Sequence, residues 1–225
     1  MTIWQNRKAK DRQLYMRALT AVCLKGRLAY YFTMYKYGFL RDSILAKKRL
    51  TNRLSEEWQI HNAQGLKSKL GWLLQEGNRQ SYLDIRHRLS ALSETDRMDY
   101  VQSLPKKQKE TIRISIVNYY CRKLPEDGIA AYDYAQYLYL CRVGITLRYL
   151  TKQEGLNRMQ HVAQLIQQSY SGWEEYVAAY VAGSQFDAAE TSPTYVQTNQ
   201  ALIKKWFAAK NSPFRQLEWQ MDLGK

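Results

Sequence analysis

The chain has 225 residues, 45% hydrophobic and 24% charged, with 18 Tyr and 6 Trp, a composition that excludes a disordered polypeptide. Only 11 Gly and 4 Pro leave little punctuation for the many tight turns of a sandwich or barrel, which leans the balance towards helices. Lys and Arg number 34 against 20 Asp and Glu, a net of +14, and the excess is lopsided: residues 1–60 hold 13 basic and 4 acidic side chains, whereas residues 121–225 hold 11 and 10.

In chain order, Leu14, Ala18, Ala21, Val22, Leu28 and Phe32 recur at helical spacing, so residues 6 to about 36 read as one long basic helix ending near Gly38. A second helix is predicted after Asp42 and Ser43, with Ile44, Leu45 and Leu50 apolar and Lys47, Lys48, Arg49 and Arg53 on its exposed side. Asn62 is a good N-cap for a helix carrying Leu66, Leu70, Leu73 and Leu74, and Gly77 sits where a left-handed closing residue belongs. Ser81 and Asp84 resemble the opening of the next helix, Ser93 and Asp96 of another, and Pro105 and Pro125 bracket a further one. Residues 131–144 are apolar or aromatic almost all round, the pattern of a central buried helix, which Gly144 is expected to close. Thr151-Lys-Gln-Glu154 and Ser171-Gly-Trp-Glu174 read as capping boxes, Gly183 as the end of the second box's helix, and Ser192-Pro193 as the start of a final one after a loop.

Chemistry is sparsely signposted. His61, His87 and His161 lie far apart, no CxxC, HExxH, phosphate loop, GxGxxG or GxSxG occurs, and the reading assigns neither metal nor cofactor. Cys23, Cys121 and Cys141 are odd in number, widely spaced and set among apolar neighbours, which reads as reduced core cysteines. The most apolar early stretch, Ala18 to Leu24, is too short to span a bilayer, so the expected setting is cytoplasmic without integral membrane association. Asp133 and Arg142 point to opposite sides of the central helix, so each needs a partner from another element; the alternative is a cleft with Asp133 as general base, Arg142 or Arg148 holding an anion, and Glu76 nearby. Tyr30, Tyr31, Tyr35 and Tyr37 beside Lys25, Arg27 and Lys36 mix stacking faces with cations, as single-stranded nucleic-acid binders do, although core packing explains several of them equally.

Two stretches carry a family resemblance: Trp58-Gln-Ile60 with Gly71-Trp-Leu-Leu-Gln-Glu-Gly-Asn-Arg79 and Tyr82, then residues 132–144 running through Leu150 and Glu154 to Ser171-Gly-Trp-Glu174 and Gly183. Together they resemble the YbeU and YbeR-like bacterial family, a domain of unknown function, over residues 55–187. The resemblance implies an all-helical scaffold and no established reaction. Trp58, Glu76, Gly77, Arg79, Asp133, Arg142, Gly144, Trp173 and Gly183 match its pattern, while Tyr132 stands where the family favours tryptophan and Gln136 and Ser184 where it favours arginine.

The expectation is therefore one all-α domain of eight or nine helices: a basic layer at 1–54, a family-like core at 55–187, and a C-terminal helix and tail at 188–225. The expected role is a non-catalytic interaction module, of effector and immunity or stress type, binding an acidic protein through Arg12, Arg17, Lys47, Lys48, Arg49 and Arg53. The alternatives are an RNA- or DNA-binding protein or toxin using the same patch, and an enzyme centred on Asp133, Arg142 and Glu76.

Overall fold

A computed structural model describes residues 3–24, 29–34 and 44–224, without the side chains of 3–6, 44 and 46. Its helices are α1 (Ile3–Leu19), α2 (Ala29–Met34), α3 (Ile44–Trp58), α4 (Ala63–Gln75), α5 (Gly77–Ser90), α6 (Glu94–Ser103), α7 (Lys109–Tyr120), α8 (Ala130–Leu147), α9 (Lys152–Ser169), α10 (Trp173–Ala188), α11 (Thr194–Ala208) and α12 (Pro213–Gln216), with a 3-10 turn at Ala21–Cys23. No strand occurs among the described residues, so the all-α class holds.

Helix α8 is the axis of the molecule. It is buried on every side, and α9, α10 and α4 pack directly against it, with α3 and α5 completing the shell. Close approach is set by small residues at the crossings. A Cβ on Gly183 of α10 would overlap that of Tyr132, one on Gly144 would lie 2.6 Å from Leu66 of α4, and one on Gly155 of α9 would lie 2.5 Å from Ile145. One hydrophobic cluster runs from Tyr15 to Leu223, so the amino-terminal helix and the tail share the core of the middle.

Local side-chain caps appear where spacing predicts them. Asn62 Oδ1 accepts from Gly65 N at 2.8 Å, Ser93 Oγ from Asp96 N at 3.1 Å, and Thr151 Oγ1 from Glu154 N at 3.1 Å. Other boundaries differ from the sequence reading. The long first helix stops at Leu19, followed by the 3-10 turn and an extended Leu24 before α2; Gly38, Asp42 and Ser43 lie outside the described residues. Leu45, expected on the apolar face of α3, is 72% exposed. Helix α8 runs through Gly144 and ends at left-handed Arg148, and α10 runs through Gly183 and ends at left-handed Ala189, because both glycines serve helix crossings. At α10 the expected box is displaced by one residue: Gly172 is the N-cap, and Glu175 Oε2 accepts from Ser171 N at 2.6 Å. The Ser-Pro start signal acts at Ser212-Pro213, where Ser212 Oγ accepts from Phe214 N, whereas α11 opens at Thr194 with no side-chain cap.

The C-terminal tail is strapped down by α9. Gln160, Gln164 and Gln167 share one face, and their amides donate to the carbonyls of Gly224, Gly224 and Trp219 at 3.2, 2.7 and 2.6 Å, with Gln167 also reaching Met221. Trp219 Nε1 donates to Tyr170 O and accepts through its carbonyl from Tyr15, tying α1, α9 and the tail together. Trp173 stacks on Phe214 at 4.3 Å between ring centroids and meets Trp219 edge-on at 5.0 Å.

Candidate functional site

Asp133 is fully buried in the first turn of α8. Its Oδ1 accepts from Asn78 N at 3.0 Å and its Oδ2 from Arg79 N at 2.9 Å, and the Arg79 guanidinium stands at 3.4 Å. The first two amides belong to the opening turn of α5, so Asp133 caps α5 from another helix, with the carboxylate on the positive end of the helix dipole. This is why α5 opens at Gly77 and not at Ser81 as the local pattern predicts. Gly77 has φ +60°, and a Cβ there would collide with the Asp133 carboxylate. Arg79 then turns back, donating to Leu73 O at 2.6 Å and Leu74 O at 2.5 Å, the unpaired carbonyls ending α4, with its guanidinium 5.0 Å from the Tyr134 ring centroid. Burial pushes the Asp133 carboxyl up to about 6, against the opposing pull of the Arg79 and Asn78 amides and the Arg79 charge.

Arg142 lies nine residues further along α8, about 13 Å of axial rise from Asp133, and is buried. It donates to Thr20 Oγ1 and, at 2.7 Å, to Phe32 O. Arg17 donates to Met34 O at 3.2 Å, and burial together with the neighbouring Arg142 charge brings its guanidinium down to about 10. Both arginines thus serve carbonyls at the end of α2. Glu76 is exposed at the α4–α5 junction, next to the Asp133 node in sequence and space, whereas Arg142 belongs to a different end of α8. The three residues considered as a catalytic group are not brought into one cleft.

The cationic candidates divide as well. Arg12 is bound to the tail, donating to Asp222 O at 2.9 Å and pairing with its carboxylate at 2.6 Å. Arg53 pairs with Glu57 at 2.9 Å and lies 5.2 Å from the Tyr139 ring centroid. Lys48 and Arg49 are exposed and Lys47 half-buried on α3, and among the described residues no carboxylate pairs with them. Of the tyrosine cluster, Tyr30 donates to Asn211 Oδ1 at 3.1 Å and lies under Lys205, and Tyr31 is exposed; Tyr35, Tyr37, Lys25, Arg27 and Lys36 lie outside the described residues.

A feature that periodicity did not reveal is an open cleft of about 250 Å³ between the end of α10 and the start of α11, bordered by Tyr132, Tyr180 and Tyr195 and by Asp187 and Glu190. Asp187 links it to the Asp133 node, accepting from Asn78 Nδ2 at 3.1 Å and from the Tyr132 hydroxyl at 2.7 Å. Tyr132, Gln136 and Ser184, the three departures from the family pattern, come together here: Tyr132 and Ser184 line the cleft and Gln136 lies near the Tyr132 phenol. The signal was present in those departures, but only the α8–α10 crossing joins them.

Cys23, Cys121 and Cys141 are buried and joined in no disulfide, and burial pushes the Cys141 thiol up. Among the described residues no helix is long and apolar enough to cross a membrane, and no group of three His, Cys, Asp or Glu side chains gathers to hold a metal ion.

Five of the residues that matched the family pattern are thus occupied in helix caps and crossings: Asp133, Arg79 and Gly77 at the α4–α5 junction, Gly144 on α8 and Gly183 on α10. The chain is 25% identical over 179 residues to the uncharacterized protein YbeR of Escherichia coli (strain K12), an alignment covering 74% of this chain and 75% of that protein. No solved structure matches it. Residues 53–219 match the family model described as a protein of unknown function (DUF1266), a span reaching past Asp187 to Trp219, and the chain belongs to that family.

Proposed function

We propose that the protein is a non-catalytic interaction module that binds an acidic protein partner through the cationic face of α3. The observation that carries this reading is the state of Lys48 and Arg49, exposed and without a carboxylate partner among the described residues, with half-buried Lys47 beside them. Helix α3 has no acidic residue in its first turn, and Glu57 near its far end is engaged by Arg53. A surface of this kind attracts anionic groups at long range and is screened by salt. The occupation of Asp133 and Arg142 by backbone groups supports a scaffold role for the family pattern. Arg12 and Arg17, held by Asp222 and by Met34 O, add to the field more than to the contact.

The test is fluorescence anisotropy with two labelled probes, a polyglutamate peptide and a single-stranded RNA, at increasing salt. The reading expects saturable binding of the peptide that weakens with salt and is lost in the triple variant Lys47→Glu, Lys48→Glu, Arg49→Glu. Absence of peptide binding at low salt overturns it. RNA binding with a log-log salt slope of roughly −4, the value for six phosphate contacts on a single strand, in place of peptide binding transfers the surface to nucleic acid.

A further inference from the structure

The cleft between α10 and α11 has a one-sided hydrogen-bonding inventory. Nearly all its side-chain donor groups are already spent inside the protein: Tyr132 on Asp187, Tyr195 on Val22 O at 2.8 Å, Ser184 on Val181 O at 2.8 Å, and Thr198 on Thr194 O at 2.8 Å. Thr194 donates to Glu190 at 3.1 Å and Gln185 to Thr191 O at 2.7 Å. Ser192 keeps a hydroxyl that bonds to no described residue, and the Tyr180 phenol faces Cys23.

The acceptors are not spent. A carboxylate offers about four lone-pair positions, and Asp187 uses two, for Asn78 and Tyr132, while Glu190 uses one, for Thr194. Asn199 is the more telling case. It is only 8% exposed, and its Nδ2 donates to Tyr195 O at 2.9 Å and Thr198 Oγ1 at 3.0 Å, which orients the amide. Its Oδ1 accepts from no described residue, and Asn199 lines the cleft. An acceptor on an open cleft can exchange its water for a ligand's donor.

The walls are aromatic. Tyr180 lies 5.2 Å from Tyr132 and 5.1 Å from Tyr195 between ring centroids, so the three rings form one continuous surface. Among the described residues no Lys or Arg lines the cleft. The nearby cation Lys69, which senses both Asp187 and Asp133, sits over the Trp72 ring at 3.7 Å and forms no ion pair with either.

We propose that this cleft binds a small alkylammonium ligand, with its N–H groups on Asp187, Glu190 and Asn199 Oδ1 and its chain along the tyrosine faces. A cation satisfies both halves of the inventory, since it brings only donors and is attracted to carboxylates and to ring faces. The volume of about 250 Å³ suits a short aliphatic amine. The net charge of +14 does not forbid this, because charges more than about 8 Å away are largely screened at physiological salt.

The experiment is an NMR titration of the full chain with butylammonium, tetramethylammonium and butan-1-ol, following the amides of Ser184, Thr198 and Asn199. Butylammonium is expected to give saturable shifts in the millimolar range, confined to these positions, with butan-1-ol and tetramethylammonium at least about tenfold weaker because one lacks charge and the other N–H donors. Glu190→Gln, at an exposed position, should weaken butylammonium about tenfold while leaving the melting temperature unchanged, and Asp187→Asn should act in the same direction. Ser184→Lys should abolish binding by placing an ammonium in the cleft. No saturable shift with butylammonium, equal binding of all three probes, or undiminished binding in Glu190→Gln overturns the proposal. None of these readouts involves α3, so failure here leaves the acidic-partner reading intact, and the reverse holds.

Discussion

Asp133 and Arg79 are bound to each other twice, once through Arg79's backbone N–H at 2.9 Å and once through its guanidinium at 3.4 Å, while that guanidinium also closes α4 on Leu73 O and Leu74 O. A single carboxylate on the central helix therefore holds the end of one helix and the beginning of the next. The neighbouring Gly77 is the only residue type that fits, since its backbone is left-handed and its missing Cβ makes room for the Asp133 oxygen.

Removing that carboxylate should be severe. Asp133→Ala leaves two α5 amides and a part-buried guanidinium without their acceptor, and a loss of about 3–5 kcal/mol is expected. Asp133→Asn, which keeps one carbonyl oxygen but turns an amide towards a donor, should lose less. Urea denaturation of the three proteins measures the order, and an alanine variant as stable as wild type would refute the capping role.

The pH dependence follows from burial. Asp133's carboxyl rises from 3.8 to about 6 on folding, so the folded state holds its proton more tightly than the unfolded chain. The resulting stability is fully present below pH ~4 and is lost as the pH rises through about 6, a swing of about 3 kcal/mol. Stability relative to Asp133→Asn should therefore fall over this window, and a carboxyl-carbon NMR titration should place the Asp133 midpoint near the upper end of it. A flat difference between the two proteins would remove the linkage.

Two glycines should respond in opposite directions. Gly183→Ala forces a Cβ into Tyr132 at the α10–α8 crossing and should destabilise by about 1–3 kcal/mol or more. Gly71→Ala, inside α4 with nothing within 4 Å of the new Cβ, should stabilise by about 0.5–1 kcal/mol through helix propensity. Melting temperatures of the pair decide whether the crossings or mere helicity set the glycine positions.

The tail strap predicts a local effect. Gln167→Ala removes two hydrogen bonds to Trp219 O and Met221 O and should cost about 1–2 kcal/mol. Hydrogen exchange should accelerate in residues 217–224 before it does in α8. Uniform acceleration throughout the chain would show instead that the strap is integral to the global unfolding unit.

Legibility in the sequence followed the range of the interaction. The caps at Asn62, Ser93 and Thr151 were readable because donor and acceptor lie three residues apart. The start of α5 was misplaced because its cap comes from Asp133, 54 residues away from Arg79. Gly144 and Gly183 looked like helix stops because a glycine without its neighbours carries the same local signal in a terminus and in a crossing. For the candidate surfaces, α3's cations were visible as a cluster, whereas the engagement of Arg12 by Asp222 spans 210 residues and leaves no local trace.

By itself the sequence determined an all-helical chain with a buried aromatic axis and a cationic beginning, because periodicity, short-range caps and charge depend only on neighbours a turn apart. Tertiary packing alone decided that Asp133 caps another helix, that Arg17 and Arg142 serve the carbonyls of α2, and that Tyr132, Asp187 and Asn199 border one cleft. Those outcomes depend on which helix faces meet, and that is set by the complementary bulk at every crossing together.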